Sequence, residues 1–158
     1  MTSVPAEHHY AQAARRHFED AVYLHEDSRI QNADHHFGFA VECALKSLLL
    51  RHLGATMGPK KVGGKPSIKP WVRASDGKAR DFGHLPAIWD DVALMLHGRS
   101  GSVLAGLLSG SAPFASWSVE DRYLDGTAVM AADVAARKAA ADQVLRLHQQ
   151  VLLTGVLQ

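Results

Sequence analysis

The chain is poor in cysteine and in long apolar runs, and each shortage removes a class of protein. One cysteine, Cys43, among 158 residues excludes a disulfide framework within the chain and makes a reducing cytoplasm the expected compartment. Placed inside a helical pattern, that thiol reads as a small buried hydrophobe. The longest apolar stretch, around Leu48, is far too short for a bilayer, so no membrane association is expected. The polar start MTSVPAEHHY leads into no apolar h-region, unlike a secretory signal. Ten histidines are present, yet no two stand four residues apart, the spacing that puts two imidazoles on one helical face. His9, His17 and His25 rotate away from one another, and the members of His8-His9 and His35-His36 point apart. No metal and no cofactor is therefore expected. Serine-nucleophile, Walker and dinucleotide motifs are also missing, because GKPS at Gly64 lacks the upstream glycine spacing.

What is present is ordinary globular composition: 47% hydrophobic and 21% charged, enough for a single domain over 1–158 with a core of its own. Helical periodicity dominates, and no strand-like alternation is evident. The stretch Asp34 to Leu53, DHHFGFAVECALKSLLLRHL, carries Phe37, Val41, Leu45 and Leu48 at helical spacing, with Ala40, Ala44 and Leu49 widening the stripe. Asn32 or Asp34 suits its start and Gly54 its end. Glu42 and Lys46 stand one turn apart beside that apolar face, in the favourable order for a helical ion pair. A first helix is expected from about Pro5 to Glu26, antiparallel to the second. A third opens at His84-Leu85-Pro86 and runs to about His97, with Leu85, Ile88, Trp89, Val92 and Leu96 as its apolar face. Gly98 to Gly101 interrupts the pattern before a short segment, Val103 to Leu108. The last helix follows Asp125-Gly126, with Thr127 as its cap, and runs to about Leu153. Its expected stripe is Ala132, Ala135, Ala139, Val144, Leu147 and Val151. The fold expected is all-α: an antiparallel four- to five-helix up-and-down bundle. Aromatic residues, 7% of the chain, include Trp89, Phe114 and Trp117, which are expected to be buried between the subunits of a homodimer.

Between Gly58 and Arg80 the composition changes. Lys60, Lys61, Lys65, Lys69, Arg73, Lys78 and Arg80 face only Asp76, while the whole chain carries a formal charge of +1. Three of the six prolines, Pro59, Pro66 and Pro70, fall here with four glycines, so residues 55–83 read as a long basic loop between the second and third helices. Lys60, Lys61, Lys65, Lys69 and Arg73 can track phosphates while the Trp71 indole stacks on a base. A solvated insertion kept soluble by its lysines explains the same composition.

The glutamate and lysine of AVECALKSLL, the His84-Leu85 helix start, the aromatic-then-Arg-Tyr element from Trp117 to Arg122-Tyr123, and the long final helix together resemble a HEPN domain. The resemblance runs from Ala11 to Leu152 and breaks at the 55–83 loop. It implies a helical bundle, usually a homodimer, in prokaryotic toxin–antitoxin or defence systems, binding RNA or nucleotide beside a nucleotidyltransferase or antitoxin partner. Glu42 and Lys46 are expected, with His84, Arg122 and Tyr123, to form a polar network tying the second helix to the segment before the last. Many members are metal-independent ribonucleases with an R-x(4–6)-H motif. Here no histidine follows Arg122 within range, and Arg80 stands too close to His84. Arg29 with His35 or His36 fits the count, as cation and base for ribonuclease chemistry, but falls between the first two helices. The alternatives are therefore a binding module, a ribonuclease using Arg29 with His35 or His36, and a structural adaptor without catalysis.

Overall fold

The structure, a computed structural model, describes residues 3–97 and 102–157; the expected break at Gly98 to Gly101 lies outside them. Helix α1 spans Ala6–Glu26 and α2 spans Ile30–His52. Between them Ser28 takes a φ of 60°, which lets the chain reverse in three residues. The second helix begins four residues before the expected Asp34, because the Arg29 carbonyl already accepts from Ala33 N at 3.0 Å. Asp34 therefore lies inside the helix, and its side chain bonds a distant arginine instead of a cap. Ser47 Oγ donates to the Glu7 carbonyl and His17 meets His36, so α1 and α2 run antiparallel. Helix α3 (Ala87–Leu96) and the short α4 (Val103–Leu108) follow. A 3-10 turn at Val119–Tyr123, closed by a Ser118–Asp121 capping box, leads to α5 at Ala131–Thr154. Thr127 does not cap that helix: its N–H and hydroxyl both donate to Asp125 Oδ1 in the preceding turn. Gly155, left-handed at φ 70°, ends α5.

Two expectations about packing are overturned. The buried face of α5 is Val134, Arg137, Ala141, Val144, His148 and Val151, while Ala132, Ala135 and Ala139 are exposed. An arginine and a histidine occupy core positions, which an apolar stripe does not reveal. Asp34 bonds Arg137 and Ser47 bonds His148, so α5 runs parallel to α2 and antiparallel to α1. Trp89, Phe114 and Trp117 are buried within the chain itself, so they supply no reason for a second subunit. Trp89 Nε1 donates to the Leu108 carbonyl and Trp117 Nε1 to the Asp34 carbonyl.

The fold is mostly helical but not all-α. Residues 55–82 form a folded lobe around a hairpin of β1 (Trp71–Arg73) and β2 (Ala79–Asp81), antiparallel, with Val72 opposite Arg80. Thr56 bridges to Trp71 and Pro59 to Pro66. Asp76-Gly77 supplies the turn, with Gly77 at φ 79°. Charges on the short strands hide the alternation that marks longer ones. Among the described residues no helix is long and apolar enough to cross a membrane.

At Gly38 helix α2 lies directly against the indole of Trp117. A Cβ there would overlap the Trp117 indole ring, so only glycine lets α2 accept the tryptophan. Gly38→Ala is expected to destabilise the protein by about 1–3 kcal/mol through overpacking. Urea denaturation monitored by tryptophan fluorescence checks this, and an unchanged midpoint would contradict the contact.

Candidate functional site

The residues singled out in the sequence separate into three places. In the lobe, Trp71 is only 5% exposed and its indole N–H donates to the Gly58 carbonyl at 2.8 Å. It is the lobe's core, not a platform for a base. Arg73 caps that core: its guanidinium lies over the Trp71 ring and donates to the carbonyls of Gly77 and Lys60. Lys60 pairs with Asp81 at 2.7 Å. Three of the residues expected to bind therefore hold the lobe together. Lys61, Lys65, Lys69, Lys78 and Arg80 remain exposed on its outside. Val62 and Ile68 stand out among them, almost wholly solvent-facing, so the apolar surface that Trp71 was expected to offer falls to these two.

The second place is Glu42, which is buried at the middle of α2. Its Oε1 accepts from Lys46 Nζ at 2.7 Å and meets His84 Nδ1 at 2.9 Å, and its Oε2 accepts from Leu85 N at 3.3 Å. Lys46 also lies over the Tyr10 ring. The network thus joins α1, α2 and the start of α3, and it includes Glu42, Lys46 and His84 of the expected set. Arg122 and Tyr123 are not in it. They sit on the 3-10 turn, exposed, with the guanidinium over the Tyr123 ring. Cys43, beside Glu42, has its thiol pushed up to about 11 by burial and by the Glu42 charge, so it is an inert packing group.

The third place is a cleft of about 490 Å³ at the start of α2, lined by Arg29, Gln31, Asn32, Asp34, His35, Asp121 and Arg122 among others. Here the chain turn before α2 meets the 3-10 turn before α5. Gly126 packs directly against the Gln31 side chain at φ 83°, and any side chain there would push that wall inward. Arg29 and His35 thus share one cleft, together with Arg122, which sequence spacing did not connect to them. His36 is turned away, its Nδ1 3.1 Å from His17 Nδ1 on α1. His35 stacks on Trp117 and meets Phe39 edge-on, and its Nε2 is buried without a partner. Burial and neighbouring His36 lower its pKa, so at neutral pH it is an uncharged, packed ring.

Four functional-grade polar groups escaped the sequence reading, all of them between α2 and α5. Arg137 is 4% exposed and Asp34 is 2% exposed. Arg137 Nη1 donates to Asp34 Oδ2 at 2.8 Å, while its other nitrogens reach the Pro113 carbonyl and Ser116 Oγ. Burial raises the Asp34 pKa, against the effect of the Arg137 hydrogen bond. Its Oδ1 is buried with no partner. Ser47 and His148 form the second pair, at 3.0 Å. Ser47 gives its only proton to the Glu7 carbonyl, so the imidazole must donate from Nε2 to satisfy both contacts. Arg137 and His148 fall on the three-and-four spacing of Val134, Ala141, Val144 and Val151 along α5, but only their partners on α2 mark them as buried. Comparisons with family models, with curated proteins and with solved structures return no match to this chain. Among the described residues, no group of three or more histidine, cysteine, aspartate or glutamate side chains is placed to hold a metal ion.

Two stability predictions follow from these buried groups. Glu42→Ala removes the acceptor from buried Lys46 and from Leu85 N, and is expected to cost about 3–5 kcal/mol; chemical denaturation measures it, and a loss below about 1 kcal/mol would place the pair effectively at the surface. His148 is held down to about 4 by burial, then by Arg51 and His52, against an ordinary 6.5. The unfolded chain therefore binds the extra proton first as pH falls. The stability tied to neutral His148 is complete above pH 6.5 and is lost progressively toward pH 4, an effect of about 3 kcal/mol. Denaturation across that range should show His148→Gln with a flatter pH profile than the wild type, and identical profiles would refute the assignment.

Proposed function

We propose that the protein is a HEPN-like helical bundle that binds RNA or a nucleotide, within a toxin–antitoxin or defence-type system, and that it acts as a binding module. The observation that carries the binding reading is the lobe of residues 55–82. Its tryptophan, one arginine and one lysine are spent on internal contacts, yet Lys61, Lys65, Lys69, Lys78 and Arg80 remain on its exposed face. A folded scaffold loses less backbone entropy on binding than an unfolded loop would, and of these cations Lys78 also lies 3.9 Å from Asp76. Each phosphate they neutralise releases counterions, which is the main source of sequence-independent affinity for a strand. The HEPN reading, and with it a homodimer or a nucleotidyltransferase or antitoxin partner, rests on the sequence motifs, to which the Glu42–Lys46–His84 network gives a physical role.

The ribonuclease alternative draws on Arg29 and His35 lining one cleft. Against it stands the His35 ring, stacked on Trp117 with Nε2 buried. A general base must reach the proton it removes, and this nitrogen is closed to solvent.

Replacing Lys61, Lys65, Lys69 and Lys78 together with Ala is expected to weaken binding to single-stranded RNA at least tenfold and to flatten the slope of log affinity against log salt by about 3. Fluorescence anisotropy across a salt titration measures both. Equal affinity and equal slope for wild type and variant would remove the lobe as the contact surface.

A further inference from the structure

Two exposed surfaces of the chain are opposite in charge, and both carry apolar side chains that the fold itself does not use. Eleven large apolar side chains are exposed among the described residues, and five of them stand on these two surfaces. The first surface is the tip of the lobe. Gly64 N donates to the Lys61 carbonyl with Gly63 left-handed at φ 72°, and Val62 stands at the corner of the turn so closed. Val62 and Ile68 are almost wholly solvent-facing, so each projects from the lobe with no neighbour covering it. Lys61, Lys65 and Lys69, all exposed, are interspersed with them. From residue 55 to 82 the lobe holds seven basic residues and two acidic ones.

The second surface lies at the other end of α2, on the α5 side of the 3-10 turn. A cleft of about 620 Å³ opens there, lined by Asp121, Tyr123, Leu124, Asp125, Val129 and Asp133 among others. Tyr123 and Leu124 are exposed, as is Met130, one residue past Val129. Residues 118–133 carry four carboxylates, on Glu120, Asp121, Asp125 and Asp133, against one cation, Arg122. Arg137, which also lines the cleft, is spent on Asp34, Ser116 and the Pro113 carbonyl. Thr127 donates twice to Asp125 and holds that carboxyl below its usual range, so the rim stays anionic. Exposed apolar surface rimmed by charge is the composition of a protein contact site.

We infer that the lobe of one copy of this chain docks into the α5-side cleft of another, with Val62 and Ile68 against Tyr123, Leu124 and Met130 and the lobe lysines facing the carboxylate rim. A second copy suits both surfaces at once, because each supplies the charge that the other lacks. Within one molecule the 23 residues of α2 hold the two about 34 Å apart, so a chain cannot fill its own cleft. The contact is heterologous: it joins copies head to tail, into a ring where the rotation closes and a filament where it does not. It goes beyond the nucleic-acid reading and does not rest on it.

Sedimentation velocity between about 1 μM and 1 mM tests it with two variants, Val62→Ser with Ile68→Ser on the lobe and Leu124→Lys with Asp133→Lys at the cleft. All four side chains are exposed, and thermal unfolding checks that each variant is folded. Wild-type mass is expected to rise with concentration, less steeply as salt is added. Either variant alone should associate about tenfold more weakly or worse. Their equimolar mixture should form a dimer and stop there, because only one intact lobe and one intact cleft can meet. Wild-type protein that stays monomeric throughout overturns the inference. So does association that neither variant weakens, or that mixing the two does not restore. Affinity for single-stranded RNA, measured below the association range, separates the two proposals: the serine variant keeps every lysine and should bind RNA as the wild type does. Loss of RNA affinity in that variant with unchanged association would assign the apolar tip to RNA and also overturn the inference.

Discussion

Arg137 holds three parts of the molecule with one guanidinium. It bonds Asp34 on α2, the Pro113 carbonyl, and Ser116 in the loop that carries Trp117. Trp117 in turn fills the space left by Gly38 and donates to the Asp34 carbonyl. The 3-10 turn with Arg122 begins two residues later, so the cleft at the start of α2 exists because this arginine fixes the loop that forms its far wall. Desolvating two charges costs several kcal/mol, and their attraction recovers it only when the remaining donors find acceptors. The guanidinium has three acceptors, one on α2 and two in the loop before the 3-10 turn. The carboxylate uses only one oxygen. The pair that organises the fold therefore also leaves one carboxylate oxygen buried without a partner.

Helix α2 shows how a core helix can carry polar groups without losing its place. It is buried on most sides, yet contains Asp34, Glu42, Lys46 and Ser47 among its buried residues. Each finds a partner: Asp34 and Ser47 on α5, Glu42 at the start of α3, and Lys46 on Glu42 of the same helix and over the Tyr10 ring of α1. Polar contacts of this kind fix the register of the surrounding helices, because a shift of one turn would strand them all. The packing of α1, α3 and α5 on α2 is specified by these contacts as much as by the apolar stripe.

The elements that repeat at helical period were legible in the sequence, and so was the Glu42–Lys46 pair, because helix spacing alone puts residues 42 and 46 in contact. The link to His84 was legible only through the motif resemblance. What was not legible depended on tertiary partners. Arg137 and His148 look like surface residues until Asp34 and Ser47 are placed opposite them. The thirteen-residue reach from Trp71 to Gly58 turns a loop tryptophan into a core, and three-residue strands are too short for their alternation to register. The start of α2 was misplaced because Asp34, a good cap by type, is worth more in the ion pair than at a helix end. The cleft itself joins residues about ninety positions apart, which no local pattern encodes.

The two candidate contact surfaces lie at opposite ends of α2, whose 23 residues span about 34 Å at the helical rise. They differ in what they offer. The lobe presents exposed lysines together with the exposed apolar side chains of Val62 and Ile68. The cleft presents two exposed arginines, Arg29 and Arg122, beside the start of α2. The imidazole in the cleft is neutral, stacked and closed at Nε2, and His36 is engaged with His17 on another face. Cleavage needs a base that is free to take a proton; recognition needs cations that are already in place. Of the two histidines that pair with Arg29 by spacing, His35 is closed at Nε2 and His36 is turned to His17, whereas the exposed guanidinium and ammonium groups are already in place.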